Sequence, residues 1–155
     1  MAKPFALRAA RPDDYDAIVS VVDAWWGRPI TGALQRVFLD HFSSTSLVAE
    51  RAAADGTTGL AGFLVGFPSP DHPDQAYIHF VGVDPRERGT GLARSMYESF
   101  FERMRAEGCT VVHAVTSPVN VGSIAFHRAM GFAVAGPVTD YDGPGADRVV
   151  FSRSL

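Results

Sequence analysis

The residues with the most chemistry in them form the run Arg86-Glu87-Arg88-Gly89-Thr90-Gly91, where a strand-like stretch ending at Val83 hands over to a helical pattern beginning at Leu92. Two near-adjacent glycines let a backbone turn tightly and approach a ligand with no Cβ in the way, so several N–H groups can converge on an anion. The following helix adds unbonded N–H groups and the positive end of its dipole at the same spot, which suits a phosphate or pyrophosphate. An isolated Gly-x-Gly is also simply a tight turn into a helix. Two phosphate motifs do not fit. A P-loop ends in Gly-Lys-Ser/Thr, which Gly91-Leu92-Ala93 lacks, and a dinucleotide fingerprint needs a third glycine where Arg94 stands. Use of the turn for ATP or NAD by another route stays open at this point.

Histidines are the second chemical resource. His79 lies in the strand-like stretch Ala76 to Val83, with Tyr77 on its face and Ile78 and Phe80 on the other by alternation, and His113 lies in the next such stretch. Either imidazole could act as a general base near neutral pH. With His127 they make three histidines on separate elements without paired ligand spacing, so no metal is expected. Cys109 is the only cysteine, which excludes an internal disulfide framework; it has no motif around it and reads as structural. Trp25 and Trp26 close a helical stretch, where one can line a pocket while the other packs in the core. Asp140-Tyr141-Asp142-Gly143 falls between the last two strand patterns, and its carboxylates suit either a cationic amine or a solvated loop.

Arg86-x-x-Gly89-x-Gly91 resembles the acetyl-CoA loop of the GCN5-related N-acetyltransferases (GNAT), and Asn120-x-x-Ser123-x-x-Phe126-His127-x-x-x-Gly131-Phe132 resembles that family's later motif. The two occur in the family's order and cover Val83 to Phe132. The resemblance implies an acetyl-CoA-dependent transfer of an acetyl group to an amine by direct attack in a ternary complex. It assigns the CoA pyrophosphate to the main chain of Arg86, Glu87, Arg88, Gly89, Thr90 and Gly91, with charge added by Arg86 or Arg88. It lays the pantetheine between the splayed ends of two parallel strands, along Val81 to Val83. Asn120, Ser123 and Phe126 follow as cofactor contacts, although Asn120 also reads as a helix cap.

In that chemistry a thioester is already activated, so a neutral amine can attack it once positioned, through a tetrahedral oxyanion. The family often carries tyrosine four residues before the Gly of Gly-Phe as hydrogen-bond donor to the CoA sulfur. This chain has His127 there, which makes His127 the general-acid candidate, with His79 ahead of His113 as base. The resemblance also puts the loop between the first two helices over the acceptor, which brings in Trp25 and Trp26, and the loop between the last two strands, which brings in Asp140. An acyl-CoA-binding sensor or interaction module with little catalysis keeps the same loop and stays open.

These side chains need elements to hold them. Pro12-Asp13-Asp14 reads as a helix start, and Ile18, Val21, Val22 and Trp25 recur at helical spacing before Gly27-Arg28-Pro29. A second helix is expected over Ala33 to Phe42, and strands over Phe5 to Ala9, Leu47 to Arg51, Gly59 to Phe67 and Ala76 to Val83. Leu92 to Met104 carries a wide apolar stripe as the third helix, followed by strand Val111 to Val115, helix Val119 to Met130 and strands Phe132 to Ala135 and Arg148 to Ser152. That order implies one mixed α/β sheet in a single domain over residues 1–155, and the family resemblance implies that the sheet is mostly antiparallel with a splayed parallel pair and about four flanking helices.

A formal net charge of −3 gives no global basic field, so nucleic acid is not an expected partner. The start, Met1-Ala2-Lys3-Pro4-Phe5, shows no secretory run and no segment is apolar enough to span a membrane, so a cytoplasmic enzyme without membrane partner is expected. The acceptor is a small-molecule amine or a protein N-terminus or lysine, and a homodimer is compatible with such a fold.

Overall fold

The apolar spacing read above becomes helix α1 (Asp14–Trp26), which buries Ile18 and Val22 and stops where Gly27 takes a left-handed φ of 70° and donates its N–H to Asp23. In the computed structural model, which describes residues 5–155, α1 follows strand β1 (Phe5–Ala9); Met1-Ala2-Lys3-Pro4, read above as lacking a secretory run, lies outside the described residues. The second helix is shorter than expected. Leu34 is extended (φ −124°, ψ 103°) after a 3-10 turn at Thr31–Ala33, so α2 covers only Val37–Phe42. Asp23 organises this connection, accepting the N–H groups of Ile30 and Thr31 and the Thr31 hydroxyl at 2.8, 2.9 and 2.8 Å.

The remaining elements are β2 (Leu47–Ala52), β3 (Thr58–Pro68), β4 (Gln75–Val83), α3 (Leu92–Ala106), β5 (Val111–Thr116), α4 (Val121–Ala129), β6 (Ala133–Val138) and β7 (Arg148–Ser154). They form a seven-stranded sheet in the order β1-β2-β3-β4-β5-β7-β6. The pairs β1/β2, β2/β3, β5/β7 and β6/β7 are antiparallel and β4/β5 is parallel. This is the mixed, mostly antiparallel architecture expected. The β4/β5 ladder runs from Gln75↔Val111 to Ile78↔Ala114 and ends there, although β4 continues to Val83 and β5 to Thr116.

The chain divides into two compact units, one holding residues up to 67 with Phe80–Arg103, the other Pro68–His79 with Met104–Leu155. In the first, Ile18, Val22, Leu34, Leu39, Val48, Phe63 and Val65 form a buried cluster, and Trp25, Trp26 and Phe80 pack against it. Each fully buried large apolar side chain contributes about 1.5–3 kcal/mol. In the second, Ile78, Val112, Ala114, Phe132, Val149 and Phe151 are buried. Among the described residues no helix is long and apolar enough to cross a membrane.

Gly82, on β4, shows how closely the first core is packed: a Cβ there meets the Phe63 ring at 2.5 Å and Trp26 at 2.9 Å. Gly82→Ala is expected to lower stability by about 1–3 kcal/mol through overpacking. Gly122→Ala, where a Cβ finds open space in α4, should be neutral or stabilising by about 0.4–1 kcal/mol. Chemical denaturation of both variants checks this, and equal midpoints would contradict the packing described.

Candidate active site

The glycine turn belongs to the first unit. Asp84 ends β4 and is buried, with Pro85–Glu87 forming a 3-10 turn after it. Its carboxylate accepts the Arg86 N–H at 2.9 Å and the Arg86 guanidinium through Nε at 3.2 Å and Nη2 at 2.8 Å. The Arg86 guanidinium holds the Asp84 carboxyl down at about 2, against the upward push of burial. Glu87 is tied to β2 by Arg51, whose Nε donates to Oε1 at 2.6 Å. Arg51 Nη2 lies against the same oxygen and 3.6 Å from Asp84, as ion-pair contacts without hydrogen-bond geometry. Arg88 donates to the Trp25 carbonyl at 3.1 Å, placing a cation at the C-terminal end of α1.

With those side chains fixed, Gly89 and Gly91 turn the chain through φ values of 81° and 84°, a region open to glycine and strained for other residues. A Cβ at either would meet nothing within 4 Å, so the surface over them is open. The Glu87 and Thr90 amides bond within the turn, to Asp84 and Glu87, and the first helical bond of α3 is Ser95 N–H to Gly91. The amides of Gly89, Gly91, Leu92, Ala93 and Arg94 have no intramolecular acceptor among the described residues. Unpartnered N–H groups at a helix start, on an exposed turn, are chemically suited to an anion.

The two tryptophans of this unit pack inward. Trp26 stacks on Phe80 with centroids 5.0 Å apart, and Trp25 on Phe63 at 6.1 Å; both remain partly exposed. Val81 and Val83 alternate with buried Gly82 on β4.

The second unit holds the later motif. Asn120 caps α4, its Oδ1 accepting the Ser123 N–H at 3.2 Å, and its amide donates to the Thr116 hydroxyl at 3.2 Å. Phe126 is half-buried, its ring edge-on to that of His127. His127 is buried, stacked on Phe151 with centroids 4.0 Å apart. Its Nδ1 is 2.7 Å from the Ser123 carbonyl oxygen, which can only accept, so Nδ1 carries the proton and Nε2 of the neutral ring is unprotonated. Burial lowers the imidazole pKa, and the bond to Ser123 opposes this in part.

Register separates the histidines. Tyr77 pairs with His113, and His113 with Ser152, so these share one face of the sheet, while Ile78, Ala114 and Phe151 share the other with His127 above it. His79 falls on the Tyr77 face, ring centroids 6.5 Å apart. Arg148, which follows the β6–β7 connection and lies four residues before Ser152 on β7, falls on the same face by alternation. Burial pushes the Tyr77 phenol pKa up, Tyr141 and Asp142 push it the same way, and Arg148 opposes them. Asp140 takes φ 54°, and its carboxylate accepts the Gly145 N–H at 2.7 Å, so it is engaged in shaping the connection. Asp142 pairs with Arg148 Nε at 2.8 Å. Cys109 is buried, its thiol pKa raised by burial and further by Glu107 and Asp74. Among the described residues no group of side chains could hold a metal.

Sequence reasoning missed Asp84, Arg51 and Arg148. Asp84 had a local signal, since aspartate before proline favours a side chain that accepts a backbone N–H two residues on. Arg51 and Arg148 had none, because their partners come from register and loop geometry.

Residues 11–132 match the model of the family described as the acetyltransferase (GNAT) family. The L-2,4-diaminobutyric acid acetyltransferase of Nocardia farcinica is 34% identical over 89 residues, covering 57% of this chain and 44% of that protein. The chain thus matches less than half the length of that relative. The L-methionine sulfoximine/L-methionine sulfone acetyltransferase of Pseudomonas paraeruginosa is 38% identical over 125 residues, 78% of this chain and 71% of that protein. The structure of diaminobutyrate acetyltransferase EctA from Paenibacillus lautus, in complex with L-2,4-diaminobutyric acid and coenzyme A, superposes with a TM-score of 0.72 at 18% identity. The match covers 97% of this chain and 95% of that one, and shows a shared fold.

The His127 contribution to stability is fully present above the ordinary histidine value, about 6.5, and is lost as pH falls through the lowered folded-state value. The thermal midpoint of the wild type is therefore expected to fall below pH ~6.5 more steeply than that of His127→Phe. Parallel profiles of the two proteins would remove His127 as the source.

Proposed function

The chain belongs to the acetyltransferase (GNAT) family, and from that premise we propose that it is an acetyl-CoA-dependent N-acetyltransferase acting on an amine of a free amino acid. The single observation that supports this most is the set of unpartnered amides at Gly89, Gly91, Leu92, Ala93 and Arg94 on an open turn. They suit the CoA pyrophosphate, whereas the amides of Arg86, Glu87, Arg88 and Thr90, expected from the motif to join them, are bonded within the turn and are proposed to frame it. Arg86 and Arg88 hold the turn through Asp84 and Trp25, so the grip is proposed to be mainly main-chain. Val81 and Val83 would pair with the pantetheine, and Asn120, Ser123 and Phe126 complete the cofactor contacts carried over from the motif. The free amino acid as acceptor draws on the names of the relatives.

The acceptor amine, with an ordinary value near 10.4 for a lysine-like group, first loses a proton, for which His79 is the proposed base. Its nitrogen then forms a bond to the thioester carbonyl carbon, giving a tetrahedral oxyanion. Collapse breaks the C–S bond, the nitrogen releases its remaining extra proton, and the CoA thiolate takes one up. His127 is the proposed donor through Nε2, a role it fills as imidazolium, which burial makes scarce at neutral pH. Trp25, Trp26 and Asp140 are proposed at the acceptor end. We further propose that the chain functions as one domain in the cytoplasm, without nucleic-acid or membrane partner.

The absence of a proton on Nε2 of the neutral His127 ring also supports a second reading, an acyl-CoA-binding module with little turnover. Thiol release from acetyl-CoA across a panel of amines separates the two, since binding without turnover of any acceptor favours the module. Gly89→Glu adds bulk and negative charge at a positive φ, and is expected to weaken acetyl-CoA binding about a hundredfold or more; unchanged affinity would refute the loop assignment. His127→Tyr, protonated throughout the neutral range, should keep wild-type kcat, whereas His127→Phe should lose roughly tenfold to a hundredfold. Equal kcat in all three proteins takes residue 127 out of the chemistry.

A further inference from the structure

The face of the second unit that carries Tyr77, His79 and His113 has one feature the transfer chemistry does not use. Arg148, the first residue of β7, and Asp142, in the connection before it, form an ion pair at 2.8 Å in which both side chains stay accessible, 30% and 48% exposed. A surface pair of this kind contributes only about 0–1 kcal/mol to stability, yet the surrounding chain is built to hold it still. Asp140 adopts a left-handed conformation, donates its N–H to Asp147 at 2.9 Å and accepts the Gly145 N–H at 2.7 Å. The Asp142 amide bonds to Ala146, the Ala146 amide to Gly143, and Arg148 Nη1 donates to the Asp147 carbonyl at 2.9 Å. The connection is thereby closed on itself, and Arg148, four residues before Ser152 on β7, falls by alternation on the face that carries His113.

An accessible, immobilised arginine–aspartate pair is the electrostatic complement of a zwitterion. A guanidinium fork donates two parallel hydrogen bonds to a carboxylate, and the aspartate accepts from an ammonium. We propose that Arg148 and Asp142 are the specificity-determining residues for the acceptor, Arg148 binding the α-carboxylate and Asp142 the α-ammonium of an amino acid. This rests on the acetyltransferase reading above and deepens it. An ammonium held by a carboxylate stays protonated and is not a nucleophile, so the acetylated nitrogen is a second amine on the acceptor side chain. The acceptor class is a diamino acid, and a diamine lacking the carboxylate leaves Arg148 without a ligand.

The test compares L-2,4-diaminobutyrate with 1,3-diaminopropane, the same chain without its carboxylate, in the wild type and in Arg148→Gln and Arg148→Lys. Wild type is expected to favour the diamino acid and to acetylate its side-chain nitrogen, read from the product by NMR. Arg148→Gln should lower kcat/KM for the diamino acid about a hundredfold while leaving the diamine within about threefold and the KM for acetyl-CoA unchanged. Arg148→Lys should recover part of the loss, since charge is kept and the fork is not. Loss of both acceptors in parallel means that Arg148 merely pins the connection, and overturns the proposal. So does a wild type that acetylates the diamine as well as the diamino acid, although that result leaves the acetyltransferase reading standing. If no amine is acetylated at all, that reading fails, and calorimetric titration of L-2,4-diaminobutyrate into the CoA-loaded protein still decides this one: binding weakened in Arg148→Gln supports it, and no binding to wild type overturns it.

Discussion

Backbone amides without partners are costly unless water or a ligand meets them, and this protein keeps a row of them together between Gly89 and Arg94. Their usefulness depends on their staying put, and the charged side chains around them do that work. Asp84 holds the Arg86 amide and guanidinium, Arg51 holds Glu87 from β2, and Arg88 reaches the last turn of α1. The charges of Arg86 and Glu87 are directed at neighbouring side chains, which leaves the amides at the start of α3 and the exposed Arg88 to offer positive potential to an anion. Glycine is required at positions 89 and 91 for backbone geometry, with open space above both. As the proposed seat of a diphosphate, such a site would read charge and shape there and be indifferent to the acceptor, whose identity has to come from elsewhere.

The second unit shows how one histidine can be fixed in a state by packing. Phe151 below and Phe126 and Phe132 at the edges enclose His127, and the Ser123 carbonyl decides which nitrogen is protonated. Burial then favours the neutral form. The histidines on the other face, at 79 and 113, sit beside tyrosine and serine and are only half-buried. The imidazoles proposed as base and acid therefore sit in different surroundings, one partly accessible and one enclosed.

Much of the architecture was legible because the local signals agreed with one another. Pro12 and the acidic residues after it, the three-and-four spacing through Trp25, and Gly27 give α1 nearly to the residue, and alternation gives β4 and β5. Where the pattern misled, a backbone departure intervened. Leu34 continues the apolar stripe of α2 but is extended, so it is buried from outside the helix. The placement of β7 between β5 and β6 had no local signature, since strand order is set by pairing across the chain. The glycine turn and the position of His127 were readable from residue type and spacing. Arg51 on Glu87 and Arg148 on Asp142 were not, because each joins residues whose approach depends on register or on a closed loop.

The claim on which the rest stands is that the amides from Gly89 to Arg94 receive the diphosphate of coenzyme A, and backbone amide NMR during a titration with coenzyme A addresses it most directly. The expected result is that the amide protons of Gly89, Gly91, Leu92, Ala93 and Arg94 move downfield together, as new hydrogen bonds form, with a common saturation curve. Saturable binding that leaves those five unshifted while other amides move would contradict it.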